Sequence, residues 1–277
     1  MTSADVTGGA TGTKEGLRTL LFVPGNRRDM LDKAKILAVD AIVPDLEDSV
    51  PISEKMVARQ TVSNLLPELA KKGQRIIPRI NPVSTGLARD DLAALIGVYI
   101  YAINVGKINT PRDVEVICQI MAELEEKAGI PVGQVKLIPY IESALGVINA
   151  FSVASASPRI IAIAFGGEDF AVDMGIQRTE GGGEIAYPRV AVATAASAAG
   201  VLALDTPYIN FRDAEGLRRE INKVRALGFR GKFAIHPSQL TDINTLFGPS
   251  EEEVENARRV VRVYEEAEAQ GHGATSL

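Results

Sequence analysis

The sequence predicts an α/β fold in which eight parallel strands, each followed by a helix, close into a TIM barrel. Short apolar runs alternate along the chain with segments of helical periodicity, a pattern typical of a parallel sheet with right-handed crossovers. Eight such units within about 250 residues are what this barrel requires. A doubly wound open sheet is the alternative, but no Gly-x-Gly-x-x-Gly follows the first apolar run. The barrel is therefore the predicted architecture.

The candidate strands are short apolar runs. An apolar run of this length is typical of a strand that is buried on both faces. The predicted strands are Thr19–Pro24, Ala41–Leu46, Arg75–Ile80, Val98–Val105, Lys136–Ile141, Ile160–Phe165, Val201–Asp205 and Gly231–Ile235.

The segments between these strands show helical periodicity. Thr110 followed by Pro111 is a threonine cap with proline at the first helical position, and Ser250 followed by three glutamates is another helix start. The predicted helices are Asp29–Val39, Ser53–Leu69, Pro111–Lys127, Ile185–Ala199, Asp213–Leu227 and Ser250–Ala269.

The composition excludes several classes of protein. The formal net charge of −5 argues against nucleic acid or an anionic membrane surface as the main partner. No apolar stretch approaches the roughly 18 residues that spanning a bilayer requires. The one cysteine, Cys118, excludes an intramolecular disulfide and is predicted to fill the core. We expect a cytoplasmic protein.

The first 16 residues differ from the rest of the chain. They are rich in Gly, Thr and Ala and lack the apolar or arginine-rich pattern of a targeting signal. We therefore predict a disordered tail over residues 1–16 and a single TIM-barrel domain over residues 17–277. With 46% hydrophobic residues, the chain has enough apolar material for one large core.

Carboxylates follow three of the predicted strands at the point where each strand ends. Asp45, Glu47 and Asp48 end the second strand, Glu142 follows the fifth and Asp169 follows the sixth. In a barrel these ends meet at one mouth, where catalytic residues lie. Charge at a buried strand end needs compensation, and Mg²⁺ provides it because this ion binds one or two carboxylates plus substrate oxygens. The pattern predicts a metal-dependent active site.

Glu142 and Asp169 are the predicted metal ligands. They end adjacent strands about one strand–helix unit apart, and two carboxylates leave Mg²⁺ open positions for a chelating substrate. The alternative for each is a helix cap or an ion pair. Glu168 is an alternative ligand to Asp169.

Arg79 and the acidic cluster of the second strand are the other main candidates. Arg79 either binds a substrate carboxylate through its forked guanidinium or pairs with Glu47 or Asp48. Strand alternation places Asp45 and Glu47 on one face. Like charges this close raise the pKa of at least one carboxyl, which favours an acid or base role. A hydrogen-bonded loop anchor is the alternative.

Further polar groups fall at equivalent strand ends. Lys107 follows the fourth strand and Asp205 ends the seventh. His236, a lone histidine before proline, is predicted to be structural rather than a base. The glycine-rich segment Arg178–Arg189 follows the sixth strand and is either a lid or a plain connection.

Six motifs, in order from about Arg18 to Ala267, resemble those of a known family. The motifs are Leu20-Leu-Phe-Val-Pro-Gly25-Asn-Arg27, Asp45-Leu-Glu-Asp48, Arg79-Ile-Asn81, Ile141-Glu142-Ser143, Phe165-Gly-Gly-Glu168-Asp169-Phe170 and Ala234-Ile-His-Pro-Ser238. No single motif is decisive, but the ordered set is specific. On these motifs the chain resembles the citrate lyase beta-subunit-like family, which includes the citryl-, malyl- and citramalyl-CoA lyases.

The resemblance implies a Mg²⁺-dependent TIM barrel that is a homo-oligomer, with a trimer favoured. It implies reversible cleavage of a 3-hydroxyacyl thioester into an acyl thioester and a 2-oxo acid. The family's metal ligands fall on Glu142 and Asp169, which favours Asp169 over Glu168, and Glu142 also contacts substrate. The family's arginine, which binds the substrate carboxylate, falls on Arg79. We assign both Glu47 and Asp48 to organising the acidic cluster. The general base is left unassigned.

Three departures from the family pattern accompany the resemblance. The family's Leu-Pro-Lys is Val105-Gly106-Lys107 here, and its Ile-Glu-Thr has Ser143 in place of threonine. The family's C-terminal Gly-x-Met-Ile-Asp motif would follow the last residue, Leu277. Two alternatives to a CoA-thioester lyase stay open: a pyruvate-type aldolase acting on free 2-oxo-4-hydroxy acids, and a subunit active only in a complex with an acyl-carrier protein.

Overall fold

A computed structural model describes residues 16–269, which form a closed parallel barrel surrounded by helices. Nine strand segments make one sheet, and two of them, β3 and β4, are halves of the third barrel strand. The predicted eight-stranded TIM barrel is confirmed. The strands are β1 Thr19–Pro24, β2 Ala41–Asp45, β3 Arg75–Ile76, β4 Arg79–Ile80, β5 Ala102–Val105, β6 Lys136–Ile141, β7 Ala162–Phe165, β8 Leu202–Asp205 and β9 Gly231–Ala234.

The sheet closes because β1 pairs with both β2 and β9. Leu20 of β1 lies beside Ala41 of β2 on one side and beside Phe233 of β9 on the other. The remaining strands follow in chain order around the barrel. All pairings are parallel, so the carboxyl ends of all strands meet at one mouth.

The third barrel strand is interrupted at Ile77 and Pro78. The Ile77 N–H still donates to the Ile42 carbonyl at 3.0 Å, and the Pro78 carbonyl accepts from the Asn104 N–H at 2.9 Å. Proline has no N–H to donate to the ladder. The predicted strand Arg75–Ile80 therefore runs in two short segments without leaving its place in the barrel.

The strand side chains alternate between two apolar clusters. Leu20 belongs to a cluster in the barrel interior, whereas its neighbour Leu21 belongs to the larger cluster between the sheet and the helices. This follows from the two-residue period of a strand. Cys118, predicted to fill the core, is half-buried and packs against the larger cluster.

Helices follow the strands around the outside of the barrel. Those of the described residues are α1 Arg28–Ala34, α2 Lys55–Leu69, α3 Ala88–Leu95, α4 Pro111–Ala128, α5 Ala144–Ile148, α6 Ala150–Ala154, α7 Gly167–Asp173, α8 Ala186–Ala198, α9 Ala214–Ala226, α10 Leu240–Phe247 and α11 Glu251–Ala269. The threonine cap of α4 is confirmed, since Thr110 and Asp113 form a capping box. Five of these helices, α3, α5, α6, α7 and α10, lie outside the predicted segments, because a helix of at most eight residues shows little periodicity.

Two predicted elements are too long. The fourth strand, predicted over Val98–Val105, begins only at Ala102, because residues 97–100 form a turn in which Val98 is 66% exposed. The first helix, predicted over Asp29–Val39, ends at Ala34. No helix between residues 16 and 269 has the length and apolar composition that crossing a bilayer requires. The predicted tail and residues 270–277 lie outside the described residues, except for Gly16, so the domain boundaries stay a prediction.

Candidate active site

A cavity of about 350 Å³ opens at the carboxyl ends of the strands. Polar groups from neighbouring strands line one part of it, and apolar side chains line the rest. The lining includes Phe22, Asp45, Asp48, Arg79, Tyr140, Glu142, Glu168, Asp169, Pro207, Ile209 and Ile235. Four of the five main candidates from the sequence, Arg79, Asp48, Glu142 and Asp169, thus face the same cavity.

Asp45, the last residue of β2, organises the loop that carries the other acidic residues of this strand end. Its Oδ1 accepts the Glu47 N–H at 2.9 Å, and its Oδ2 accepts the N–H and the hydroxyl of Ser49 at 3.0 and 2.5 Å. Such hydrogen bonds between side chain and backbone replace the backbone hydrogen bonds between strands at the point where the strand ends. The loop therefore holds Glu47 buried and leaves Asp48 60% exposed.

Arg79 lies at the centre of this acidic cluster. Its guanidinium makes a bidentate pair with Asp45, at 2.7 and 2.6 Å, and contacts Asp48 at 2.9 Å and Glu47 at 3.2 Å through Nη1. It also stacks 4.5 Å from the ring centre of Phe22. Burial opposes ionisation of Asp45, but the adjacent guanidinium lowers its pKa below the usual value. This geometry favours the ion-pair interpretation of Arg79, with Asp45 as an additional partner.

Glu142 follows β6 and is held in place by the chain after β5. The backbone N–H of Lys107 donates to Glu142 Oε1 at 2.6 Å. Lys107 has φ of 57°, a left-handed conformation that is uncommon for a residue with a side chain. A Cβ on Gly106 would lie 2.7 Å from Glu142 Oε1 and 3.1 Å from Glu47 Oε1, so these two carboxylates face each other across Gly106.

The Lys107 ammonium group joins the two predicted metal ligands. Its Nζ lies 2.7 Å from Asp169 Oδ2 and 3.6 Å from Glu142 Oε1. Burial opposes the charge on Lys107, but the Glu142 and Asp169 carboxylates raise its pKa above the usual value. Glu142 and Asp169 therefore converge on one position that holds positive charge.

Two buried carboxyl groups at this end of the barrel, Glu142 in the cavity and Glu47 in the acidic cluster, have raised pKa values. Burial, opposed by Lys107 and reinforced by Asp169, raises the pKa of Glu142 to about 7. Burial, opposed by Arg79 and reinforced by Asp48 and Glu142, raises the pKa of Glu47 to about 8. This end of the barrel thus holds more buried carboxylate than the cations Arg79 and Lys107 neutralise.

The donor set is chemically suited to Mg²⁺. Glu142 is buried and Asp169 is 38% exposed, so the pair presents one enclosed and one open carboxylate. Among residues 16–269 no group of three or more His, Cys, Asp or Glu side chains forms a ready-made metal cluster. Mg²⁺ needs no such cluster, because it keeps waters and takes substrate oxygens as further ligands.

Other predicted candidates are engaged elsewhere. Glu168 pairs with Arg178 at 2.8 Å, and Arg178 also bonds Glu184. These contacts hold the first residue of the glycine-rich segment in place. Asp205 is fully buried and pairs with Arg189 and Lys232. His236 stacks on Phe211 and bonds Ser238 through Nδ1, as expected of a structural histidine.

Two features of the site escape sequence reasoning. Asp45 is the strongest partner of Arg79, and Tyr140 lines the cavity beside Glu142. Tyr140 and Glu142 are two residues apart, and side chains at this spacing along a strand point to the same face. The spacing alone could therefore have predicted that both point into the barrel. Similarly, Lys232 lies within an apolar strand, and a buried lysine needs an acidic partner. Its position could therefore have predicted the buried pair with Asp205.

Comparisons with known proteins agree with the geometry. Residues 18–237 match the family model HpcH/HpaI aldolase/citrate lyase. A citrate lyase subunit beta from Leuconostoc mesenteroides subsp. cremoris is 38% identical, over 94% of this chain and 86% of its own length. A (3S)-malyl-CoA thioesterase from Cereibacter sphaeroides is 36% identical, over 92% of this chain and 86% of its own length.

Solved structures show the same fold. A citrate lyase beta subunit from M. tuberculosis, complexed with oxaloacetate and magnesium, is 28% identical with a TM-score of 0.71, covering 85% of this chain and 99% of its own. Protein CitE from Mycobacterium tuberculosis, in complex with magnesium, acetoacetate and coenzyme A, is 29% identical with a TM-score of 0.75, covering 95% of this chain and 91% of its own. With the family match over most of its length, the chain belongs to the HpcH/HpaI aldolase/citrate lyase family and is a lyase.

Proposed function

We propose that the chain is a Mg²⁺-dependent carbon–carbon lyase that cleaves, or forms, a 3-hydroxyacyl-CoA such as malyl-, citramalyl- or citryl-CoA. The products of cleavage are an acyl-CoA and a 2-oxo acid. The observation that carries the proposal is the convergence of Glu142 and Asp169 on one cation position, in a cavity that also contains Arg79.

The metal would be held by Glu142 and Asp169. When bound, Mg²⁺ supplies Lewis acidity toward the oxygen of the acid half and neutralises the surrounding carboxylates. The magnesium in related solved structures supports this assignment. Binding of the ion requires the Lys107 ammonium to leave its contact with Asp169, which its 42% exposed side chain is free to do.

The chain's own residues orient the substrate. Arg79 pairs with Asp45, Asp48 and Glu47 and also lines the cavity, where its positive charge would attract the carboxylate of the acid half. In cleavage the 3-hydroxyl group loses its proton and the bond between C2 and C3 breaks. The electron pair of that bond forms the thioester enolate. The hydroxyl carbon becomes the carbonyl carbon of the 2-oxo acid, and protonation of the enolate carbon completes the acyl-CoA.

Glu47 is the better placed of the two acidic candidates for handling a proton. Its pKa of about 8 lets it hold or release a proton near neutral pH. Asp48, which is 60% exposed, pairs with Arg79 and maintains the acidic cluster. The general base stays unassigned.

The decisive experiment compares three reactions of the purified chain. With Mg²⁺ and each of (3S)-malyl-CoA, citramalyl-CoA and citryl-CoA, we expect an acyl-CoA and a 2-oxo acid, detected by mass spectrometry, and no turnover in EDTA. Cleavage of free 2-oxo-4-hydroxy acids but not of thioesters would instead identify a pyruvate-type aldolase. Turnover only after addition of an acyl-carrier protein complex would identify a dependent subunit, as the citrate lyase subunit beta relative suggests.

Thioester hydrolysis is a second candidate function. The malyl-CoA thioesterase relative favours it. A thioesterase would release free CoA and leave the carbon skeleton intact, so malate rather than a 2-oxo acid would accumulate from malyl-CoA. The same mass spectra therefore distinguish the two activities.

We also propose that the chain forms a homo-oligomer, with a trimer favoured. Exposed apolar side chains on α5, α6 and α7, close to the residues that follow β6 and β7, support an interface there: Leu145, Ile148, Phe151 and Val172 are each more than half exposed. Light scattering that gives three times the mass of the chain would support the trimer, and the mass of one chain would contradict an oligomer.

A further inference from the structure

Tyr140 lies on β6, two residues before Glu142, and its side chain lines the same cavity. The residue is 4% exposed. Its ring packs against Phe22 and Phe233, with ring centres at 6.5 and 5.1 Å, and a Cβ on Gly166 would lie 3.1 Å from its edge. The ring is therefore fixed in the floor of the cavity by apolar neighbours on several sides.

The hydroxyl of Tyr140 is a buried polar group with no hydrogen-bond partner among the described residues. By contrast, Tyr208 donates its hydroxyl to Asp213 at 2.9 Å. A buried hydroxyl costs free energy unless something bonds it, and native structures leave few such groups unpaired. The cavity-lining residue Tyr140 thus has a buried hydroxyl that lacks a hydrogen bond, which a ligand could supply.

The surroundings determine which kind of ligand suits this hydroxyl. A tyrosine hydroxyl has a usual pKa of about 10, so at neutral pH the group carries its proton and can donate a hydrogen bond. Under the proposed function the acid half of the substrate binds beside Glu142, in the cavity that Tyr140 also lines. An acid half offers carboxylate and oxo oxygens, and both accept hydrogen bonds.

We propose that the Tyr140 hydroxyl donates a hydrogen bond to an oxygen of the 2-oxo acid half of the substrate and so contributes to selecting that half. The inference rests on the proposed function, because it takes the oxo acid to bind beside Glu142. Only the hydroxyl oxygen of Tyr140, Oη, would contact the substrate, whereas the ring packs against its apolar neighbours.

The experiment compares Tyr140→Phe with Tyr208→Phe. Each change removes one hydroxyl and keeps the ring. Binding of oxaloacetate in the presence of Mg²⁺ is measured by calorimetry, and the melting temperature is measured without ligand. For Tyr140→Phe we expect oxaloacetate to bind about tenfold more weakly, with an unchanged or higher melting temperature, because no internal bond is lost. For Tyr208→Phe we expect unchanged affinity and a lower melting temperature, because its bond to Asp213 is lost.

Two results would overturn the inference. One is an oxaloacetate affinity for Tyr140→Phe within twofold of the wild type. The other is weaker binding together with a lower melting temperature, which would make the hydroxyl structural. Failure of the wild-type chain to bind oxaloacetate with Mg²⁺ is a different result, because it contradicts the proposed function itself.

Discussion

Arg79 and Asp45 form a bidentate ion pair that joins the carboxyl ends of β4 and β2. Nε lies 2.7 Å from Oδ1 and Nη2 lies 2.6 Å from Oδ2, and the two residues are direct neighbours in the parallel register. Asp45 is 1% exposed and the Arg79 side chain is 13% exposed. A buried pair with this geometry holds the acidic cluster in position before any substrate or metal binds.

Replacing Arg79 should therefore weaken the fold as well as the site. Arg79→Met leaves Asp45 and Glu47 as buried carboxylates without their cation, and we expect a loss of about 3–5 kcal/mol in the free energy of unfolding by urea. The double variant Arg79→Met, Asp45→Asn should recover part of this loss, because it removes one of the unpaired charges.

An exposed ion pair provides the control. Arg89 pairs with Glu123 at 2.9 Å with both side chains well exposed, so Arg89→Met should change the free energy of unfolding by at most about 1 kcal/mol. If Arg79→Met were no more destabilising than Arg89→Met, the pair with Asp45 would not support the structure.

Glu47 makes stability depend on pH near neutrality. Its pKa is raised from 4.5 to about 8 in the folded chain, so between these values the folded state binds more protons than the unfolded state. The free energy of unfolding then falls as the pH rises through this range, by at most about 1.4 kcal/mol per pH unit from this group. Above the folded pKa the loss is complete.

Glu47→Gln removes this titration. In urea unfolding without added metal, we expect the variant to lose less stability than the wild type between pH 5 and pH 8 and to be the more stable of the two at pH 8, since the amide carries no charge to bury. Parallel stability curves for the two proteins would show that Glu47 is already ionised in the folded state at neutral pH.

Gly166 keeps space for Glu142. A Cβ at this position would lie 2.7 Å from both the Cβ and Oε2 of Glu142, so Gly166→Ala must displace the carboxylate. We expect Mg²⁺ affinity, measured by calorimetry, to fall about tenfold or more. Gly181→Ala is the matched control, because nothing lies within 4 Å of its Cβ position. Equal Mg²⁺ affinities for the two variants would place Glu142 outside the metal site.

Sequence reasoning succeeds here where the physics is local or periodic. Apolar runs alternating with helical periodicity are enough to predict the barrel, and carboxylates at strand ends are enough to predict the mouth. It fails where partners come from different strands: nothing in the motif around Arg79 shows that Asp45 is its main partner. It also fails for backbone conformation, since the left-handed φ of Lys107, which aims its N–H at Glu142, has no signature in its residue type. The turn at Val98 is missed because apolar residues there are exposed.

We propose that Asp169, together with Glu142, binds the magnesium ion on which carbon–carbon cleavage depends. Asp169 and Glu168 are adjacent, and only Asp169 shares the Lys107 ammonium with Glu142, whereas Glu168 pairs with Arg178. The neighbouring carboxylates therefore allow a closely matched comparison, Asp169→Asn against Glu168→Gln.

The most direct measurement is the rate of Mg²⁺-dependent cleavage of the thioester that the wild type turns over, with circular dichroism to verify the fold. We predict that Asp169→Asn lowers this rate by about 100-fold or more, because even outer partners of a metal ion are typically worth about 10–100-fold, and that Glu168→Gln changes it by less than about tenfold. Retention of Mg²⁺-dependent cleavage by folded Asp169→Asn would contradict the assignment of the metal site.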